Sequence, residues 1–337
     1  ISSVGKVLRT TNGGQNWSII PAGSNQYRAM QFIDQNTGIV CGLNGSILTT
    51  TNSGLNWSAQ VSGVSDILNT LKCYSNGTYF AGSALGKILR STNFGINWSI
   101  INTGTTDEIT SSGSLNNGNG FFCTSTGKIF RSTNSGLTWT QMFHDPALQL
   151  TSISMPDING TAVFVFGYKG FILRSTNSGL NWATIEGSIY SETIGSVCFP
   201  SQQTGYGCDY SGTIYRSTNS GINWSVNSHW NDCSLYRINF VNASTGFLSG
   251  DSLNDIIIWK TTNGAASWER KMVTDITSLQ SAYFPSASTG FVCGSNSADA
   301  GSNVLRTTNS GTSWSTLFTT AVNVNEIYFL NTSTGWI

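Results

Sequence analysis

Apolar residues along this chain come in short runs broken by Gly, Asn, Ser and Thr. Ala29–Ile33, Ile39–Gly42 and Ile47–Thr50 form one such set, with a Thr37-Gly38 turn after the first run and a Gly-containing turn after the second. The third run enters an Asn-x-Gly-x-x-Trp loop, and a fourth begins at the Trp. Runs this short, punctuated by turn residues, predict β-strands, and no stretch sustains a helical period.

The set repeats. Arg-Thr-Thr-Asn-Gly-Gly-Gln-Asn-Trp at 9–17 returns at 49–57 and again in segments ending at Trp98, Trp139, Trp182, Trp224, Trp268 and Trp314. The eight copies have Trp-to-Trp spacings of 40, 41, 41, 43, 42, 44 and 46. Four short strands per unit of this length predict a propeller blade. Residues 334–337 joined to 1–12 reproduce the 16-residue pattern of 37–52, so the chain is cut in the middle of a blade. The expectation is an all-β fold: a single β-propeller domain over 1–337 with eight four-stranded blades. The terminal blade is built from about 323–337 plus 1–22. The alternatives are seven blades with a leftover unit, or a piece of a longer array.

The loops Ser132-Thr-Asn134-Ser-Gly136-Leu-Thr-Trp139 and Ser91-Thr-Asn93-Phe-Gly95-Ile-Asn-Trp98 resemble the Asp-box, or bacterial neuraminidase repeat, with Asn where that family has Asp. An Asn side-chain oxygen still accepts backbone N–H groups across a tight turn. The fuller unit is similar to the photosystem II stability/assembly factor-like repeats. That resemblance implies a secreted or lumenal propeller, with the box as a fold staple away from any substrate site. It leaves function open among three readings. The first is a non-enzymatic, exported binding or scaffold module that holds a protein or glycan through its loop face. The second is an Asp-box glycoside hydrolase of sialidase type. The third is an assembly factor for a membrane protein complex.

Composition narrows the partners. Sixteen basic and sixteen acidic residues leave no net charge, and charged residues are 9% of the chain. That excludes nucleic-acid binding through bulk positive charge. No apolar run approaches the ~20 residues of a membrane-spanning helix. The expected partner is a protein or glycan, within a larger surface assembly or filament, with no nucleic acid and no membrane insertion. The expected location is extracellular, cell-surface or periplasmic.

Catalytic groupings are sparse. Two histidines, His144 and His229, stand outside any triad-like arrangement. Arg28, Arg237 and Arg270 lie outside the repeated slot and would have to converge to bind a carboxylate. The expectation is no enzyme, no cofactor and no metal. A base precedes the box in seven units: Arg9, Arg90, Arg131, Arg174, Arg216, Lys260 and Arg306, with Thr49 the exception. A residue repeated in nearly every blade serves the blade, by bonding loop carbonyls of the neighbour and stacking on a Trp; the other reading is a basic ring gripping an anionic surface. Cys41, Cys123, Cys208 and Cys293 share one slot and read as small core residues. Cys198 and Cys208 flank the Thr204-Gly205 turn and are expected opposite each other across a hairpin, where a disulfide fits.

Departures from the repeat are the places to look for binding. Val226–Cys233 carries an extra Trp in His229-Trp230-Asn-Asp232. Asp251–Asp255 and Gly294–Asn303 lengthen second-to-third-strand turns, and Tyr168-Lys169 and Asp209-Tyr210 occupy equivalent turns on the same face. His229, Trp230, Asp232, Tyr168, Lys169, Asp209, Tyr210, Asp251 and Asp255 are therefore the expected partner-binding residues. Glu108, next to Asp107, is a further acid on that face.

Overall fold

The computed structural model describes residues 5–155, 161–185, 194–253, 255–296, 301–320, 324, 327–329 and 333–336. The chain is an all-β propeller of eight four-stranded antiparallel blades. Blade 1 consists of Tyr27–Phe32, Gly38–Gly42, Ile47–Thr50 and Ser58–Gln60. Blades 2 to 7 repeat this order and begin at Leu68, Ile109, Leu150, Ile194, Cys233 and Ser278. Blade 8 joins the two ends of the chain: Tyr328–Phe329 and Gly335–Trp336 pair with Lys6–Thr10, which pairs in turn with Ser18–Pro21.

Two compact units are distinguishable. One comprises Val4–Val7 and Ile20–Ile185 and holds blades 1–4. The other comprises Ile1–Ser3, Leu8–Ile19 and Glu186–Ile337. In the first unit the opening strands of successive blades pack on one another. The second strand is the buried centre of each blade, and Cys41, Cys123, Cys208 and Cys293 are all fully buried there.

The Phe that ends the first strand explains two repeated residues at once. Phe32, Phe240, Phe284 and Phe329 each meet the box Trp of their own blade edge-on; Phe32 and Trp57 have centroids 6.1 Å apart. The same rings lie flat on the Gly that opens the second strand. A Cβ on Gly38 would sit 2.6 Å from the Phe32 ring. The Gly of the Thr-Gly pair is thus required by a close approach and not by its backbone angle.

The box loop is held by its own side chains. Ser91 Oγ accepts from the Gly95 amide at 2.9 Å, and Asn93 Oδ1 accepts from the Asn97 amide at 3.0 Å. Trp98 Nε1 donates to the Gly95 carbonyl at 2.8 Å. Gly95 has φ +82°, and a Cβ there would stand 2.3 Å from Ile39 Cδ1 of blade 1. The box therefore closes its own hairpin and also packs on the preceding blade.

The repeated basic slot faces the box of the following blade. Arg90 Nε donates to the Ser135 carbonyl at 2.7 Å, Arg306 Nε to the Gly13 carbonyl at 3.0 Å, and Lys260 Nζ to Ser310 Oγ at 2.9 Å. Arg174, Arg216 and Lys260 also lie over aromatic rings, but these are not the expected Trp: they are Phe164, Tyr206 and Phe247, their partners on the second strand of the same blade.

One expectation needs correction. Cys208 pairs in register with Ser196, and Cys198 with Tyr206. The two cysteines are offset by two residue pairs along the hairpin, and all seven cysteines are free thiols.

Candidate functional site

The first strand of each of blades 1–7 has a β-bulge at one register position. The extra residue is Arg28, Asn69, Thr110, Thr151, Gly195, Tyr236 and Gln280 in turn. A bulge re-aims a side chain out of the ladder. Here it sets one residue per blade outside the regular ladder, and the residue type varies from blade to blade, with Thr at two of the seven.

A second column lies beside it, in the turn after the second strand. The amides of Ala84, Ser125 and Tyr168 donate to the carbonyls of Ile67, Glu108 and Gln149, at 2.8, 3.0 and 2.9 Å. These bonds clamp the turn to the start of its own first strand. The turn residue is therefore set next to the bulge residue in every blade that has the bond.

In blades 1–4 the two columns enclose a cavity of about 550 Å³, lined by Arg28, Asn69, Glu108, Thr110, Gln149 and Tyr168, with Ser125, Leu150 and Thr151. Hydrogen bonds between blades set its wall. Asn69 Nδ2 donates to Glu108 Oε1 at 3.1 Å, and Thr110 Oγ1 donates to the Leu150 carbonyl at 2.8 Å. Behind Glu108, Asp107 is paired with Lys128 at 2.7 Å and accepts from Thr126 at 2.6 Å. Those hydrogen bonds hold the Asp107 carboxyl down at about 2. One repeat earlier, Asp66 is paired with Lys87 at 2.9 Å. Among the described residues Arg28 and Glu108 make no ion pair, so the cavity offers a cation and an anion to a ligand. It contains one carboxylate, whereas glycoside hydrolysis uses two.

The predicted site residues separate by environment. Tyr168 lines the cavity and is half exposed. Lys169 follows it in the same turn at φ +59°. Asp209 is buried and structural in its contacts: it accepts from Tyr215 Oη at 2.6 Å and from the Thr213 amide at 2.8 Å. Trp230 packs on Trp259, centroids 5.2 Å apart, within the apolar core of blades 5 and 6. His229 Nδ1 is 3.0 Å from Thr213 Oγ1, and Asp232 is exposed beyond it. Asp255 pairs with Arg270 at 3.4 Å at the tip of an extended hairpin. Tyr210 and Asp251 come together around Tyr236. In the lengthened Gly294–Asn303 turn, residues 297–300 lie outside the described residues. Among the described residues no group of three or more His, Cys, Asp or Glu is placed to hold a metal ion.

Arg28, Asn69, Thr110 and Thr151 were not among the predicted binding residues. Their sign in the sequence is a variable polar residue directly after the apolar residue that opens each first strand: Tyr27, Leu68, Ile109 and Leu150.

Comparison with known proteins fits this picture. Residues 3–135 match the family model described as photosynthesis system II assembly factor YCF48. Over those residues, about two fifths of the chain, the repeat is similar to that of YCF48. A structure of YCF48 bound to a D1 peptide is 14% identical, over 92% of this chain and 90% of that one, with a TM-score of 0.58. YCF48 from Cyanidioschyzon merolae is 15% identical, over 92% and 98%, with a TM-score of 0.60. A GH74 enzyme from Niastella koreensis is 13% identical, over 93% and 70%, with a TM-score of 0.51. At such identities the structures share a fold. No curated protein matched the sequence. One of these YCF48 structures holds a peptide, and none of the YCF48 matches involves a glycan or a filament. No helix among the described residues is long and apolar enough to cross a membrane.

Proposed function

We propose that this chain is a non-enzymatic, protein-binding propeller of the assembly-factor type. It holds an extended polar segment of a partner subunit of a membrane protein complex in the cavity on blades 1–4. One observation carries the reading. The bulges of blades 1–4 present Arg28, Asn69, Thr110 and Thr151, and these four meet in one cavity where, among the described residues, neither Arg28 nor Glu108 is ion-paired. The bulge backbone cannot complete a regular ladder, so an extended peptide finds hydrogen-bonding groups beside variable side chains. That is how peptide sites combine affinity with selection. The YCF48 repeat and a relative that binds the D1 peptide support a peptide as the ligand. Work in an exported or lumenal compartment is part of this proposal.

The test is site-specific photo-crosslinking from position 168 in the native cell, followed by peptide mapping. The expected product is one membrane-complex subunit, attached through one segment. Attachment to carbohydrate, or to many unrelated proteins, would refute the reading.

A further inference from the structure

The same two repeat positions occur in blades 5 and 6, where their chemistry is different. The residues matching Tyr168 are Tyr210, in the turn, and Asp251, still within the longer strand Gly246–Ser252, and the bulge residues are Gly195 and Tyr236. We infer that Tyr210, Tyr236 and Asp251 form a second recognition site, one that takes a cationic side chain, arginine or lysine, from a protein partner. The site lies in other blades than the cavity and does not depend on the ligand proposed there.

Three features of the geometry support this. The rings of Tyr210 and Tyr236 meet at 53° with centroids 6.0 Å apart, making an open aromatic corner. Tyr210 is 48% exposed, so one face of the corner reaches solvent. A cation placed on a tyrosine face within ~6 Å of its centroid is attracted by the ring quadrupole. Gly195 keeps the corner open: a Cβ there would stand 3.1 Å from the Tyr236 carbonyl and 3.4 Å from the Tyr210 ring.

Asp251 supplies the charge. Tyr236 Oη donates to Asp251 Oδ2, and that is the hydrogen bond fixing the carboxylate against the corner. Burial first, and then the adjacent carboxylate, push the Tyr236 hydroxyl up to about 12, so it remains a donor and leaves the negative charge of Asp251 in place. Among the described residues no Lys or Arg pairs with Asp251; the ion pairs of this blade go to Asp255 and Glu269 instead. A carboxylate held by one neutral donor beside two aromatic faces matches a guanidinium, which can stack and donate a charged hydrogen bond at once. A neutral sugar would gain the stacking and have no use for the charge.

The test titrates the full chain with acetyl-Gly-Arg-Gly-amide and with its neutral isostere acetyl-Gly-citrulline-Gly-amide. Ring proton shifts of Tyr210 and Tyr236 report binding. The arginine peptide is expected to saturate the shifts and to bind at least ~10-fold tighter than the citrulline peptide. Asp251→Asn should remove most of that preference, and Tyr210→Ala should weaken the arginine peptide ~5-fold or more. Tyr236→Phe keeps the ring and removes the hydrogen bond that fixes Asp251; it should lower the arginine preference, and an unfolding midpoint equal to the native chain's separates loss of the site from loss of the fold. Arg28→Ala, in the other cavity, should leave this titration unchanged. Equal binding of the two peptides, no saturable shift, or an undiminished arginine preference in Asp251→Asn would overturn the inference.

Discussion

Arg90 Nε donates to the backbone carbonyl of Ser135, 2.7 Å away in the box loop of the next blade. The side chain crosses a blade boundary within the unit, so it fastens neighbours and not its own hairpin. A charged donor to a backbone carbonyl contributes ~1.5–3 kcal/mol where water is partly excluded. Arg90→Ala is expected to lower unfolding stability by about 1–2 kcal/mol in urea titrations. Arg90→Lys should recover part of it, and partner binding should not change.

Gly95 is under two constraints at once. Its φ of +82° disfavours any L side chain, and the added Cβ would meet Ile39 at 2.3 Å and Thr49 at 3.0 Å. Gly95→Ala should cost about 2–4 kcal/mol, measured by thermal unfolding. The same change at Gly104 has φ +75° but no atom within 4 Å of the added Cβ, and should cost about 1 kcal/mol.

Asp107 predicts an acid-range effect. Its folded-state carboxyl is held at about 2, below the ordinary 3.8, chiefly by hydrogen bonds from Lys128 and Thr126. A depressed carboxyl stabilises the fold above its unfolded value and loses that contribution as pH falls from about 3.8 to about 2. Lys128→Gln should raise the Asp107 carboxyl titration midpoint in carbon-detected NMR. The stability difference between variant and native chain should vanish toward pH 2. Because the pair is partly open to solvent, salt will reduce the difference.

The thiols offer a chemical check on the core. Burial pushes Cys41, Cys123 and Cys198 up to about 12, and raises Cys208 well above the ordinary value. Iodoacetamide at pH 8 should leave these four unmodified in the native chain, because the thiolate is the nucleophile. After unfolding without reductant all seven cysteines should react. A mass showing five adducts and the loss of two hydrogens would reveal a bridge.

How far the sequence could be read depended on the kind of residue. The strands, the eight boxes and the blade shared by both termini follow from features that recur: the Phe32–Trp57 contact has counterparts in other blades, and the Ser91–Gly95 hydrogen bond is made by a Ser or Thr hydroxyl in each box. The cavity is made of residues that vary, such as Arg28 and Asn69, and of a register shift that no hydrophobic period records. Conspicuous exceptions misled in part. Trp230 looks like a surface platform because it lies outside the box slot, yet it packs on Trp259 and Trp268. The Asp251–Asp255 insertion lengthens a hairpin, with Ser252 paired to Asp255, and its binding potential lies in Asp251 alone through Tyr236. Cys198 and Cys208 flank one turn in the sequence, but the ladder pairs Cys198 with Tyr206 and Cys208 with Ser196.

The central claim is that the columns on blades 1–4 select a partner segment through Arg28 and Glu108. The most direct measurement compares photo-crosslinking yield from position 168 in the native chain, in Arg28→Ala and in Glu108→Gln, at equal protein levels and equal unfolding midpoints. The account predicts a single partner segment and a yield at least ~10-fold lower in each variant, the scale of one lost charged contact. An unchanged yield in both variants would contradict it.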